Sequence, residues 1–255
     1  MGKHLPPTIR RLIGALRMEK EIIGESGAEV YRVGNRYYLK VQPFGLPEPL
    51  SEERNKLVWL DGKLPVPKVV GYAVGDDGEY LLTTAVDGVH AASPAVGADP
   101  KFAVHALAAG LKQIHSVSLK ACPFDETLTR KLTQAKERVM CGTVDETNFD
   151  ESRAGKTASV LLEELVACRP DEEDLVFTHG DYCMPNILLN ENGISGFIDW
   201  GRAGIADRYQ DLGLAARSIV RNYGESWVEP FFYHYGIDRP EPEKIDYYQL
   251  LDEFF

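Results

Sequence analysis

Phe177-Thr178-His179-Gly180-Asp181-Tyr182-Cys183-Met184-Pro185-Asn186-Ile187-Leu188-Leu189 is followed, after a short polar break, by Ile194-Ser195-Gly196-Phe197-Ile198-Asp199. The break, Asn190-Glu191-Asn192-Gly193, is made of turn formers, so the two apolar runs predict a β-hairpin. In an antiparallel hairpin, residues equally far from the turn centre face each other. Asn186 stands just before the first strand and Asp199 just after the second, offset by about two residues, so both side chains are expected near the hairpin mouth.

That placement offers one amide oxygen and one carboxylate to the same hard cation. Magnesium takes a few such oxygens and leaves its other positions to phosphates and water. Asp181 lies in the loop that feeds the hairpin. It can stand near the metal without ligating it, accept a hydroxyl proton and orient the oxygen for in-line attack on a γ-phosphate. A base Asp, four intervening residues, an Asn and then a metal-binding Asp is the spacing of kinase catalytic loops. Taken singly, an Asp or Asn in a loop is usually a cap or turn former. His179 taken singly is read as structural. The H-G-D-x-x-x-x-N spacing with an Asp closing a second strand is far more specific.

Outward from the hairpin, the chain changes character once. Before about Ala85 it reads mostly as strands: around Ile22–Gly24, Val30–Val33, Arg36–Val41, Val69–Ala73 and Tyr80–Thr84. Helices are expected at residues 8–18 and from Ser51 to about Asp61. Gly34-Asn35 reads as a tight turn. After Ala85, helical stretches follow at Lys101–His115, 126–140, 157–168, 207–222 and 243–255. The shift near Asp87-Gly88 marks a hinge.

His179-Gly180-Asp181 through Asn186, with Gly196–Arg202, Gly62–Lys68, Ala206–Asp211 and Leu250–Phe255, resembles the aminoglycoside phosphotransferase family. The likeness is strongest to its 3′-phosphotransferase branch, the kanamycin and neomycin kinases, and it runs over nearly the whole chain. It implies an α+β, two-lobed protein-kinase-like fold. A small β-rich nucleotide-binding lobe would span 1–87, and a larger, mainly helical catalytic and substrate lobe 88–255. ATP and Mg²⁺ are the implied cofactors, with Asp181 as catalytic base and Asn186 and Asp199 on the metal.

In the expected nucleotide lobe, alternation puts Tyr38, Lys40 and Gln42 on one face of their strand and Tyr37, Leu39 and Val41 on the other. Glu53 shares an apolar helix stripe with Leu57 and Leu60. A carboxylate there needs a cation, and Lys40 is the natural partner. A strand Lys held by a helix Glu aims an ammonium at the α- and β-phosphates of a nucleotide. The alternative is a solvated Glu and a Lys lying along the surface. Gly24–Ala28 is a weak loop signal by itself. The resemblance implies that it covers the phosphates through Ser26, and that backbone groups of Thr84 and Val86 meet the adenine edge. Tyr38 stacks on adenine or is a core tyrosine. Walker and dinucleotide-binding fingerprints are absent from the sequence.

A polycationic substrate calls for carboxylates. Asp252, Glu253 and the α-carboxylate of Phe255 offer them, and the resemblance implies that this segment lines the substrate pocket. It also implies roles for Asn148 and Asp150 in the acidic loop Val144–Glu151. Arg202 and Arg217 match family arginines near the pocket, as ligand contacts or as structural ion pairs. Asp207 and Asp211 are expected to brace the catalytic loop. Two features depart from the family: Trp200 after the metal Asp, expected at the site's rim, and the bulky set Tyr182, Cys183 and Met184.

Composition narrows the partners. A net charge of −11 argues against a nucleic-acid partner. The four cysteines form no CxxC pair, which disfavours zinc and fits a reducing compartment. No stretch is apolar enough for a membrane span, and the first twenty residues carry no leader-like core, so a cytoplasmic enzyme with no obligate protein partner is expected. The function expected is transfer of phosphate from ATP to an aminoglycoside hydroxyl. The rivals are a kinase of the same fold acting on choline or homoserine, and a non-catalytic nucleotide-binding module.

Overall fold

The structure is a computed structural model and describes residues 5–21, 27–97 and 99–255. In chain order the first elements are α1 (Pro7–Ile13), β1 (Met18–Lys20), β2 (Glu29–Val33), β3 (Tyr37–Pro43), α2 (Leu50–Leu60), β4 (Val69–Val74) and β5 (Gly78–Thr84). Then come β6 (Val89–His90), α3 (Pro94–Gly97), α4 (Pro100–His115), α5 (Leu128–Cys141), α6 (Ala158–Ala167) and β7 (Leu175–Thr178). The rest are β8 (Ile187–Asn190), β9 (Gly193–Phe197), β10 (Gly204–Asp207), α7 (Tyr209–Tyr223), α8 (Val228–Tyr235) and α9 (Pro242–Asp252). No described helix is long and apolar enough to cross a membrane.

The chain packs as two compact units, Met1–Val89 with Leu188–Arg202, and His90–Ile187 with Ala203–Phe255. The first holds an antiparallel sheet in the order β1-β2-β3-β5-β4. Its strands alternate as their sequence demands. Leu39 and Val41 of β3 join Val33, Tyr80 and Leu82 in a core closed by Ile9 and Ile13 of α1, while Lys40 stays half-buried on the opposite face. α1 is shorter than the expected 8–18, because Gly14 ends it and Met18 begins a strand. The β2–β3 turn has three residues instead of two, since Val33 pairs with Tyr37.

Residues 188–202 belong to this unit by packing. The Phe197 N–H donates to the Pro65 carbonyl at 3.0 Å. A Cβ at Gly196 would come within 2.5 Å of Val86 Cγ1 and 2.9 Å of that same carbonyl, so only glycine fits. Trp200 is wholly buried, its indole N–H donating to the Phe197 carbonyl at 3.0 Å. It is core and does not stand at the site's rim as expected.

The second unit is mostly helical. Asp99 caps α4 by accepting from the Phe102 N–H, and Thr157 caps α6 through Val160. The antiparallel pair β7–β10 joins Gly204 to Thr178 and Asp207 to Leu175. Of the bulky catalytic-loop set, Tyr182 and Met184 are buried, and the Tyr182 hydroxyl donates to the Leu107 carbonyl at 2.8 Å. The Tyr182 bond ties the loop to α4, and the Met184 N–H donates to Ser218 Oγ on α7 at 3.0 Å; Cys183 alone of the three is partly exposed.

Candidate active site

In the first unit, β3 and α2 bring three charged groups together. Lys40 Nζ lies 2.9 Å from each Glu53 carboxylate oxygen and also bonds Asp199 Oδ1. The inward turn of Glu53 follows from its stripe: Leu50, Glu53, Leu57 and Leu60 are all buried. Burial works against the Lys40 ammonium, but the charges of Asp199 and Glu53 outweigh it and hold the lysine above its ordinary pKa. Burial pushes the Glu53 carboxyl up, with Lys40 opposing and Asp199 adding. Two carboxylates therefore share one permanently charged ammonium. Asp199 itself has φ +64°, in the left-handed region that a non-glycine residue rarely occupies.

In the second unit the catalytic loop is held from behind. The buried Asp211 on α7 accepts from the His179 N–H at 2.7 Å and the Gly180 N–H at 2.8 Å. It also meets His115 Nε2 at 3.1 Å. Gly180 has φ +83°, which lets the chain turn sharply ahead of Asp181. Beyond the turn, the Asn186 amide donates to Asp181 Oδ2 at 2.9 Å and to the Asp181 carbonyl at 3.1 Å. With its N–H₂ directed at Asp181, Asn186 presents its amide oxygen on the other side. Asn186 in this unit and Asp199 in the first each carry a hard oxygen of the kind Mg²⁺ takes. Asp207, in turn, accepts from the Asp174 and Tyr209 N–H groups and from Lys244 Nζ, bracing β10 against α9.

A third group lies within the second unit. Arg217 of α7 donates to Asp150 at 3.1 Å and pairs with Asp252. Arg221 also pairs with Asp150. Glu253 accepts from the Asp150 N–H at 3.2 Å and sits 3.5 Å from Arg153. Burial, reinforced by the Asp150 charge, pushes the Glu253 carboxyl up to about 7. Arg153 is buried and bonds Asp246 at 2.7 Å. The acidic loop and the C-terminal helix are therefore knitted into one cluster of carboxylates facing arginines.

Not every expected residue joins these groups. Arg202 pairs with Glu48 at 3.1 Å in the first unit, whereas the acidic cluster lies in the second. Phe255 is held by its ring, with Lys131 Nζ at 4.2 Å and the Arg138 guanidinium at 4.4 Å from the centroid. Asn148 is exposed. The Thr84 N–H goes to the Lys68 carbonyl at 2.9 Å, so an adenine contact there would use the Thr84 carbonyl. Tyr38 is half-buried opposite Thr83. Ser26 lies outside the described residues. Sequence reading passed over Arg153, Arg221 and Lys56. Lys56 is buried on α2 and donates to the Gly201 carbonyl at 2.6 Å. Its spacing three residues after Glu53 was the signal that could have found it.

Comparison with known proteins follows the same lines. A family profile described as the phosphotransferase enzyme family matches residues 20–248. An aminoglycoside 3′-phosphotransferase of Niallia circulans is 39% identical, over 99% of this chain and 98% of its own length. One from Streptomyces fradiae is 39% identical over 91% and 92%. Among solved structures, an aminoglycoside-3′-phosphotransferase of type VIII superposes with a TM-score of 0.85 at 36% identity, covering 97% of each chain. A Streptomyces rimosus aminoglycoside phosphotransferase, APH(3″)-Id, in complex with ADP and streptomycin, gives a TM-score of 0.82 at 27% identity, covering 96% of this chain and 95% of its own. The α+β protein-kinase-like fold is shared, and by sequence and structure alike this chain belongs to the phosphotransferase enzyme family, among the aminoglycoside phosphotransferases.

Proposed function

We propose that this protein transfers the γ-phosphoryl group of ATP to an aminoglycoside hydroxyl, the 3′-OH by preference. The observation that carries the reading is the catalytic loop: Asp181 follows a turn whose two N–H groups are held by Asp211, and its carboxylate is bonded by Asn186. Asp181 takes the proton from the substrate hydroxyl. The oxygen forms a bond to the γ-phosphorus as the bond to the β–γ bridging oxygen breaks, and ADP leaves. Lys40, kept charged by Asp199 and Glu53, binds the α- and β-phosphates. Asn186 and Asp199 would hold Mg²⁺, which when bound offsets phosphate charge. Asp150, Asp252 and Glu253 receive the ammonium groups of the drug, exchanging their arginine partners for substrate cations. A reaction that consumes ATP fits a cytoplasmic setting.

A coupled ADP-release assay with kanamycin, neomycin and an aminoglycoside lacking the 3′-hydroxyl tests this. Turnover is expected with the first two and is expected to collapse with the third. Equal rates with and without that hydroxyl refute the regiochemistry. Turnover with choline or homoserine but with no aminoglycoside refutes the substrate class.

A further inference from the structure

Asp199 presents its carboxylate from a left-handed backbone conformation, φ +64°, which a non-glycine residue keeps only where its surroundings hold it. The structure shows where that constraint comes from. On one side, Glu53 accepts a backbone hydrogen bond from Trp200. Trp200 is itself locked by burial and by its bond to the Phe197 carbonyl. One residue on, Lys56 reaches the Gly201 carbonyl at 2.6 Å from the same face of α2. Next, Arg202 is gripped by both carboxylate oxygens of Glu48, at 3.1 and 3.2 Å. The Glu48 carbonyl accepts from Gln42 at 3.2 Å, on the strand that carries Lys40.

Of these contacts, Lys56 is unusual in chemistry. Its side chain is 2% exposed. Burying an ammonium is costly unless it is hydrogen-bonded, so a fully buried lysine aimed at a loop carbonyl marks a specific demand on that loop. It stands one helical turn from Glu53, so α2 holds the Asp199–Trp200 peptide by its N–H and the Gly201–Arg202 peptide by its carbonyl, from side chains three residues apart.

We propose that Lys56 is a positioning residue for the metal-binding carboxylate. Through the Gly201 carbonyl it holds Asp199 in its left-handed conformation and so sets the affinity for the metal-nucleotide complex. The inference rests on the reading of Asp199 as a Mg²⁺ ligand and adds a supporting residue to it.

The test compares wild type with Lys56→Met, which keeps length and removes the donor, and with Lys56→Arg, which restores one. Calorimetry measures binding of ADP with Mg²⁺ and of ADP with chelator. Hydrogen exchange follows the peptide spanning 197–203. Lys56→Met is expected to weaken Mg²⁺-ADP binding about tenfold, the low end for loss of a residue that orients a ligand. Metal-free ADP should stay within about twofold, residues 197–203 should exchange faster, and Lys56→Arg should recover both. Equal loss in the two binding arms, or unchanged exchange with unchanged affinity, overturns the proposal. Should Lys56→Met not fold, Lys56→Gln is read against the same outcomes. If the wild type itself binds ADP equally with and without Mg²⁺, the metal reading of Asn186 and Asp199 fails, and the exchange arm still decides what Lys56 does to the loop.

Discussion

Asp211 shows how much a single buried carboxylate organises. It spends both oxygens on N–H groups of the catalytic loop, and those donors are buried. Asp211→Ala leaves them unpaired, at about 1–3 kcal/mol each. A fall in the urea midpoint together with a large loss of kcat is expected, and an unchanged midpoint would remove Asp211 from its bracing role. Glu253 gives a prediction in pH. Its carboxyl is pushed up to about 7 by burial and by Asp150, against an ordinary value of 4.5. Between those two pH values the folded protein keeps a proton that the unfolded chain has released. Its contribution to stability is therefore full below the ordinary value and is lost as pH rises through about 7. Denaturation curves from pH 4 to pH 8, with Glu253→Gln beside wild type, should show a shallower fall in the variant. Parallel curves would contradict the assignment.

At the scale of elements, the parts written in local sequence were legible. The hairpin β8–β9 announced itself by two apolar runs around a polar turn. β3 and α2 announced themselves by period, and that period alone placed Lys40 opposite the core face and Glu53 on the buried stripe. What stayed hidden depends on segments distant along the chain. β7 and β10 are four residues each and pair across the whole hairpin, so neither looks like a strand until the other is beside it. Trp200 read as a site feature because its neighbour Asp199 is one, but its ring is large and apolar and the core of the first unit takes it. Arg202 and Arg217 could not be told apart in sequence. One meets Glu48 and the other Asp150 and Asp252, and only packing decides that. Gly196 tests the hairpin's seat. Gly196→Val would drive side-chain atoms into Val86 and the Pro65 carbonyl, so a loss of about 1–3 kcal/mol is expected by denaturant titration. A neutral result would show that this contact yields easily.

Across the whole molecule, a net charge of −11 meets a substrate class defined by its positive charges. Long-range attraction of that kind raises the encounter rate and is screened by salt. For an aminoglycoside, kcat/KM is expected to fall steadily as ionic strength rises from about 0.02 to 0.3 M, where the Debye length shrinks well below the protein's size. The same titration with ATP, an anion, should show no such fall, and identical slopes would exclude steering by the acidic surface. The account as a whole turns on Asp181 acting as the base while other residues hold the nucleotide. The most direct measurement is single-turnover formation of aminoglycoside phosphate by Asp181→Ala, with Mg²⁺-ADP affinity measured on the same preparation. A rate loss of about 10²–10⁴-fold with nearly unchanged nucleotide affinity is predicted. Phosphate transfer at the wild-type rate would contradict it.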